Sequence, residues 1–174
     1  DTFDLTGVEC QVRWESPQYG SVRPDEVASL AEEAGISDEI NRWSIEESCR
    51  QIAAWHERYD RHFFVANLLS NRQLRDPNLV TLVQSAIAGC RLAPESLQLE
   101  IRESSLIDAP EAVVAALTGL RKGGVRVGLD DFGTGHSSLG HIRRVPFDSM
   151  KLDRALMADL YTDPWAQGVT SAVL

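Results

Sequence analysis

The feature that most constrains this chain is a hydrophobic period that keeps switching between that of a strand and that of a helix. Phe63 to Leu69 (FFVANLL) and Leu97 to Ile101 (LQLEI) are short, apolar runs that read as strands buried on both faces. Val125 to Asp130 and Ser149 to Leu152 read as two more strands. Gly7 to Trp14 reads as the first: Val8, Cys10, Val12 and Trp14 form one face, and Glu9, Gln11 and Arg13 the other. After the turn-rich SPQYGSVRP, Pro24, Asp25 and Glu26 open a helix whose Val27, Leu30, Ala31 and Ala34 share a face, and Gly35 stops it. A second helix starts near Ser37 and carries Ile45, Cys49, Ile52, Ala53 and His56 at helical spacing towards Tyr59. Helices are also expected over Asn78 to Ala88 and Pro110 to Arg121, with a short one around Leu139 to Arg143 and helical segments near the end.

Five strands interleaved with helices imply a parallel α/β layout, either an open doubly wound sheet or a β/α barrel. Glu9, Glu100, Asp130 and Lys151 each come late in, or just past, a different strand, where the active sites of barrels gather. Such barrels typically need about 250 residues, so a chain of 174 is expected to be a barrel with staves missing.

The net charge of −9 argues against a general binder of DNA, RNA or anionic membranes, because such proteins carry an excess of Lys and Arg. An acidic chain that handles phosphates needs a cation to do so. Cys10, Cys49 and Cys90 lack C-x-x-C spacing and read as buried thiols in a reducing compartment, the cytoplasm. No apolar run approaches the length of a membrane span, so a soluble piece of a longer chain is expected.

The chemistry concentrates in LDDFGTGHSS, Leu129 to Ser138. Neighbouring side chains in a strand point to opposite faces, so Asp130 and Asp131 can share a task only where the backbone breaks away. A strand ending at Asp130 would permit that. Gly133 and Gly135 would free the following loop, although glycines there also suit an ordinary turn. Carboxylates converging from separate strands, with a lysine nearby, suit divalent cations held by hard oxygen ligands. Two such ions can clamp the attacking and leaving oxygens of a phosphoryl transfer.

The ordered set GVECQVRW, LQLEIRES, LDDFGTGHSSLGHI and MKLDRA resembles the EAL-domain family, the bacterial phosphodiesterases of cyclic di-GMP. The resemblance covers nearly the whole chain, including RPDEVASLAEEAG and SNRQL. It implies a TIM-like β/α barrel and Mg²⁺- or Mn²⁺-dependent cleavage of cyclic di-GMP to linear pGpG at a two-metal site. Glu9, Glu100, Asp130 and Asp131 match metal-binding positions, and Arg13 matches an arginine that meets substrate phosphate. Lys151 resembles the lysine that works on the attacking water, and Glu103 the glutamate that braces the loop after the aspartates. Asp153 resembles a nearby supporting acid on the substrate side.

Three departures from the family pattern stand out. Cys10 and Gln11 replace the Ala and Leu of the naming motif, and Gln11 shares a face with Glu9 and Arg13, where an amide needs a hydrogen-bond partner. The asparagine ligand of the family's V-N-L-S segment corresponds to Asn67 only if a bulge restores its direction, because aligning through SNRQL puts Leu68 at that place. The family's first strand and its last strands, with E-G-V-E and Q-G motifs, have no counterpart in the sequence. Residues 1–174 are therefore expected to form a single, incomplete EAL-type domain of a longer protein, accompanied by GGDEF or sensory domains and able to form a homodimer. The competing expectation is a degenerate, inactive domain that binds cyclic di-GMP as a receptor or works through protein contacts.

The remaining residues favour structural roles. His56, His62, His136 and His141 lack zinc-site spacing. Trp14, Trp43 and Trp55 are expected to pack in the core or between helices, and Arg143 and Arg144 to cap a helix end.

Overall fold

The computed structural model describes residues 4–107, 109–133, 144–145, 147–158 and 160–173. Five strands form one parallel sheet: β1 (Gly7–Cys10), β4 (Phe64–Leu68), β5 (Leu97–Arg102), β6 (Arg126–Phe132) and β7 (Ser149–Leu152), side by side in that order. A small antiparallel hairpin, β2 (Trp14–Ser16) and β3 (Gly20–Val22), follows the first strand. The helices are α1 (Pro24–Ala34), α2 (Ser37–Tyr59), α3 (Asn71–Leu74), α4 (Leu79–Gly89), α5 (Glu111–Lys122), α6 (Arg154–Ala158) and α7 (Pro164–Val173). None of the described helices is long and apolar enough to cross a membrane.

The first strand stops at Cys10 rather than running to Trp14, and SPQYG is the turn of the hairpin, with Gly20 at φ 73°. Gly35 ends α1 in the left-handed region at φ 72°, its N–H bonded back to Ala31 and Glu32. Ser70 caps the unexpected short helix α3 through a reciprocal capping box with Gln73. The helix expected around Leu139 to Arg143 lies outside the described residues.

Lateral pairing sorts the side chains into two faces. Cys10, Asn67, Leu99 and Val127 are partners across β1, β4, β5 and β6, as are Ile101, Leu129 and Met150 farther along. This outer face meets the helices: Leu97, Leu99, Ile101, Val127 and Leu129 pack against Ile45, Cys49 and Ile52 of α2, Val83 and Ile87 of α4, and Leu117 and Leu120 of α5. Each such side chain, once fully buried, contributes about 1.5–3 kcal/mol. Trp55 packs on this core, whereas Trp14 and Trp43 are exposed and do not join it; Cys49 is buried, while Cys10 and Cys90 are half-buried.

The opposite face is lined by Glu9, Ala66, Leu68, Gln98, Glu100, Gly128 and Ser149. Strands β1 and β7 are four steps apart, about 19 Å in a flat sheet. Yet Lys151 of β7 bonds Glu9 of β1 at 2.9 Å. The sheet is therefore curled into part of a barrel with this face concave. At the lower end of that hollow the Phe64 ring fills the space over Gly7, where a Cβ would stand 2.5 Å from the ring, and Arg126 stacks on the ring at 5.2 Å.

Candidate active site

Glu100 is the most deeply placed acid of the concave face, with 1% of its side chain exposed. Both its oxygens are engaged: Oε1 accepts from Gln98 Nε2 at 2.9 Å, and Oε2 from Lys151 Nζ at 2.5 Å. Gly128, its lateral partner on β6, makes the room. A Cβ there would lie 2.9 Å from Ser149 Oγ, 3.1 Å from Gln98 Nε2 and 3.2 Å from Glu100 Cγ.

Lys151 also donates to Glu9 Oε2, so three strands converge on one ammonium. Burial works against the charge of Lys151, but the hydrogen bonds and charges of Glu100 and Glu9 outweigh it and raise its pKa. In the same contact the Lys151 hydrogen bond lowers the Glu9 pKa, against partial desolvation, with help from Gln11.

The aspartate pair owes its placement to a bulge. Strand β6 continues through Phe132 instead of ending at Asp130, and its register with β7 slips between Leu129 and Phe132, three steps on β6 against two on β7. Asp131 occupies the extra position at φ 56°, a left-handed conformation that Asp tolerates better than most residues. Strict alternation would turn Asp131 towards the helices and Phe132 into the hollow. Instead Phe132 returns to the core, and Asp131 stays beside Arg102, Oδ2 to Nε 3.5 Å, while Asp130 is the lateral partner of that arginine. Desolvation and the neighbouring Asp130 raise the Asp131 pKa, opposed by Arg102, with Asp153 adding to the rise. The cluster carries more negative charge than its own cations balance.

Glu103, 2% exposed, accepts the Gly133 N–H at 2.9 Å and so holds the start of the glycine-rich loop. Gly133 has φ 99°, and a Cβ there would meet Leu156 at 2.6 Å; Gly135 and the loop's histidine lie outside the described residues. Asp153 takes its N–H to Phe132 O and accepts the Ala155 N–H at 2.7 Å, capping α6. Arg13, exposed, donates to Gln11 Oε1 at 3.0 Å, and Gln11 Nε2 donates to Glu9 Oε1 at 3.3 Å. Glu9, Gln11 and Arg13 thus remain aligned beyond the end of β1.

Asn67 is not brought to this cluster. No bulge interrupts β4; Asn67 points outwards, donating to Ser44 of α2, while Leu68 stands on the concave face next to Glu100. Asn67 Oδ1 and Ser37 Oγ are buried with no hydrogen-bond partner among the described residues, and both line a cleft of about 630 Å³ that opens beside Glu9, Gln11 and Arg102. Gln98 and Arg102, not expected from the sequence, also contribute through Glu100 and Asp131. Their signal was present: in LQLEIR, Gln98, Glu100 and Arg102 alternate with Leu97, Leu99 and Ile101.

Among the described residues, no three acidic, His or Cys side chains form a ready metal-holding group. The donor chemistry nonetheless fits a hard divalent cation. The carboxylates of Glu9 and Glu100 already converge on one positive charge, and Asp130 and Asp131 repel each other beside them.

The EAL domain family model matches residues 2–174. The chain belongs to the EAL domain family. It is 35% identical over 170 residues to the bifunctional diguanylate cyclase/cyclic di-GMP phosphodiesterase MucR of Pseudomonas aeruginosa, covering 98% of this chain and 25% of that protein. It is 33% identical over 171 residues to the cyclic di-GMP phosphodiesterase PdeR of Escherichia coli, covering 98% of this chain and 26% of that one. The solved structure of the MucR phosphodiesterase in complex with cyclic di-GMP superposes with a TM-score of 0.84 at 35% identity, over 94% of this chain and 66% of that chain. The chain thus spans about a quarter of the length of these curated relatives. Its five-stranded parallel half-barrel is the corresponding part of their TIM-like fold.

Proposed function

We propose that the protein is a metal-dependent phosphodiesterase that opens cyclic di-GMP to linear pGpG. The observation that carries this reading is the convergence of Glu9, Glu100 and Lys151 from three strands onto the face that also holds the bulged Asp130–Asp131 pair. In this reading Glu9, Glu100, Asp130 and Asp131 hold Mg²⁺ or Mn²⁺ as a pair of ions. When bound, the metal supplies charge neutralisation at the phosphate and lowers the pKa of water. Asn67, turned towards Ser44, is left out of the set, and Leu68 offers no donor in its place.

The protein's own groups do the rest. Arg13 is exposed and, among the described residues, bonds only Gln11, which leaves guanidinium donors for a phosphate oxygen. Lys151, within hydrogen-bond distance of Glu9 and Glu100, stands where it can orient the attacking water. Glu103 fixes the loop after the aspartates through the Gly133 N–H, which keeps Asp131 in its left-handed place. The cleft beside Glu9 and Gln11 is large enough to take part of a nucleotide. One water adds to phosphorus, the phosphorus–3′-oxygen bond breaks, and the released 3′-oxygen takes a proton. A diguanylate cyclase in the full protein would supply the dinucleotide, an activity that the name of MucR gives for that relative.

Incubating the purified protein with Mg²⁺ or Mn²⁺ and cyclic di-GMP, then separating the products by chromatography, tests the reading. Linear pGpG is the expected product. Binding of cyclic di-GMP without turnover would replace the enzyme by a receptor, and a folded protein that does neither would overturn the reading altogether.

A further inference from the structure

Gln11 lies between the two groups to which the proposed function gives the most different tasks. Its amide uses both ends: Nε2 donates to Glu9 Oε1, and Oε1 accepts from Arg13 Nη2. The other oxygen of Glu9 is taken by Lys151, so Lys151, Glu9, Gln11 and Arg13 form one hydrogen-bonded row. The spacing explains why an amide suits this place. Residues 9, 11 and 13 line up on one side, with Gln11 within hydrogen-bond distance of both of the others. A direct Arg13–Glu9 pair would turn the arginine inwards and occupy the carboxylate. The neutral amide satisfies both partners while keeping them an amide's width apart, so Arg13 retains its charge and its remaining N–H groups. In this chain a leucine at position 11 would bond neither partner, and a carboxylate would repel Glu9.

We propose that Gln11 is a positioning residue that aims the Arg13 guanidinium at a substrate phosphate by spacing it from Glu9. The proposal rests on the reading of this site as a cyclic di-GMP site, with Arg13 on a phosphate. It assigns a task to the side chain by which this sequence departs from the naming motif of its family.

The test is a double-mutant cycle over the wild type, Gln11→Leu, Arg13→Ala and the double variant, reading the Michaelis constant for cyclic di-GMP with saturating Mg²⁺. For a protein that binds without turnover, the calorimetric dissociation constant gives the same cycle. Gln11 is exposed, so Gln11→Leu keeps the fold, which its melting curve verifies. The expected result is a rise of about five-fold for Gln11→Leu, with kcat changed less than about two-fold, and no further rise when Arg13 is already Ala. Equal effects of Gln11→Leu with and without Arg13, or no effect at all, overturn the inference while leaving the function standing. Absence of both binding and turnover in the wild type overturns the function and the inference together.

Discussion

Replacing Lys151 with Met removes the ammonium that joins three strands while retaining most of the side chain's bulk. Glu100 then keeps Gln98 on one oxygen but has no counter-charge on the other, in a place where 1% of its side chain reaches solvent. Breaking a fully buried ion pair costs about 3–5 kcal/mol. Here the Lys151 and Glu9 side chains are 39% and 43% exposed, so water reaches the opening and screens part of the loss. A cost of about 2–3 kcal/mol without divalent cations follows. For a chain of this size each kcal/mol corresponds to about 2–4 °C, so Tm should fall by about 4–12 °C in a chelator-treated sample followed by circular dichroism. Added Mn²⁺ should recover part of that fall, and proportionally more than it stabilises the wild type, because it restores positive charge between Glu9 and Glu100. A variant that melts within about 1 °C of the wild type in chelator would refute the claim that Lys151 neutralises Glu100. A loss that Mn²⁺ leaves untouched would refute the claim that these carboxylates accept a cation.

Gly128→Ala would press a methyl group onto Ser149, Gln98 and Glu100, and overpacking of this kind costs about 1–3 kcal/mol, readable as a lower urea midpoint together with weakened metal binding. Stability should also depend on pH in a definite direction. Glu9 and Asp148 have lowered pKa values, Glu9 through Lys151 and Asp148 through Arg121, so their contributions are present above about 4.5 and 3.8 and are lost as pH falls through the still lower folded values. Asp131, shifted upwards, opposes this weakly by favouring the folded state as it protonates; Glu9→Gln should therefore flatten the acid limb of urea midpoints measured between pH 3 and 6. Lys151 is raised, so its contribution persists below 10.5 and is lost as pH rises through its higher folded value, which Lys151→Met should abolish. Burial pushes the Cys49 thiol up to about 12, and in a thiol-reagent assay it should react only on unfolding, after Cys10 and Cys90.

The alternation of strand and helix was legible because each element carries its own period: Ile45, Cys49 and Ile52 of α2 share one buried core with Leu97, Leu99 and Ile101 of β5, as their spacing requires. The same rule separates Asn67 from Leu68, since adjacent strand residues face opposite ways unless a bulge intervenes, and none does in β4. What the sequence conceals is where such a bulge occurs. Nothing in LDDF distinguishes a strand that ends at Asp130 from one that takes in an extra residue at Asp131, because the difference lies in pairing with a strand some twenty residues on. The hairpin after β1 is hidden for a similar reason: Ser-Pro-Gln-Tyr-Gly has the composition of a loop, and only the pairing of Trp14 with Val22 makes it two strands. LQLEI is buried on both faces, as its composition suggests, so burial alone does not single out Gln98, whose amide bonds Glu100 in the hollow beneath Lys151.

The most direct test of the carboxylate face is the rate of cyclic di-GMP opening with Mn²⁺, compared between the wild type and Asp131→Asn. The substitution keeps size and shape but removes one charge from the bulge. The account predicts linear pGpG from the wild type and a loss of about a hundred-fold or more in kcat for the variant, with cyclic di-GMP binding retained. Undiminished turnover by Asp131→Asn, or a folded wild type that releases no pGpG at any Mn²⁺ concentration, would contradict it.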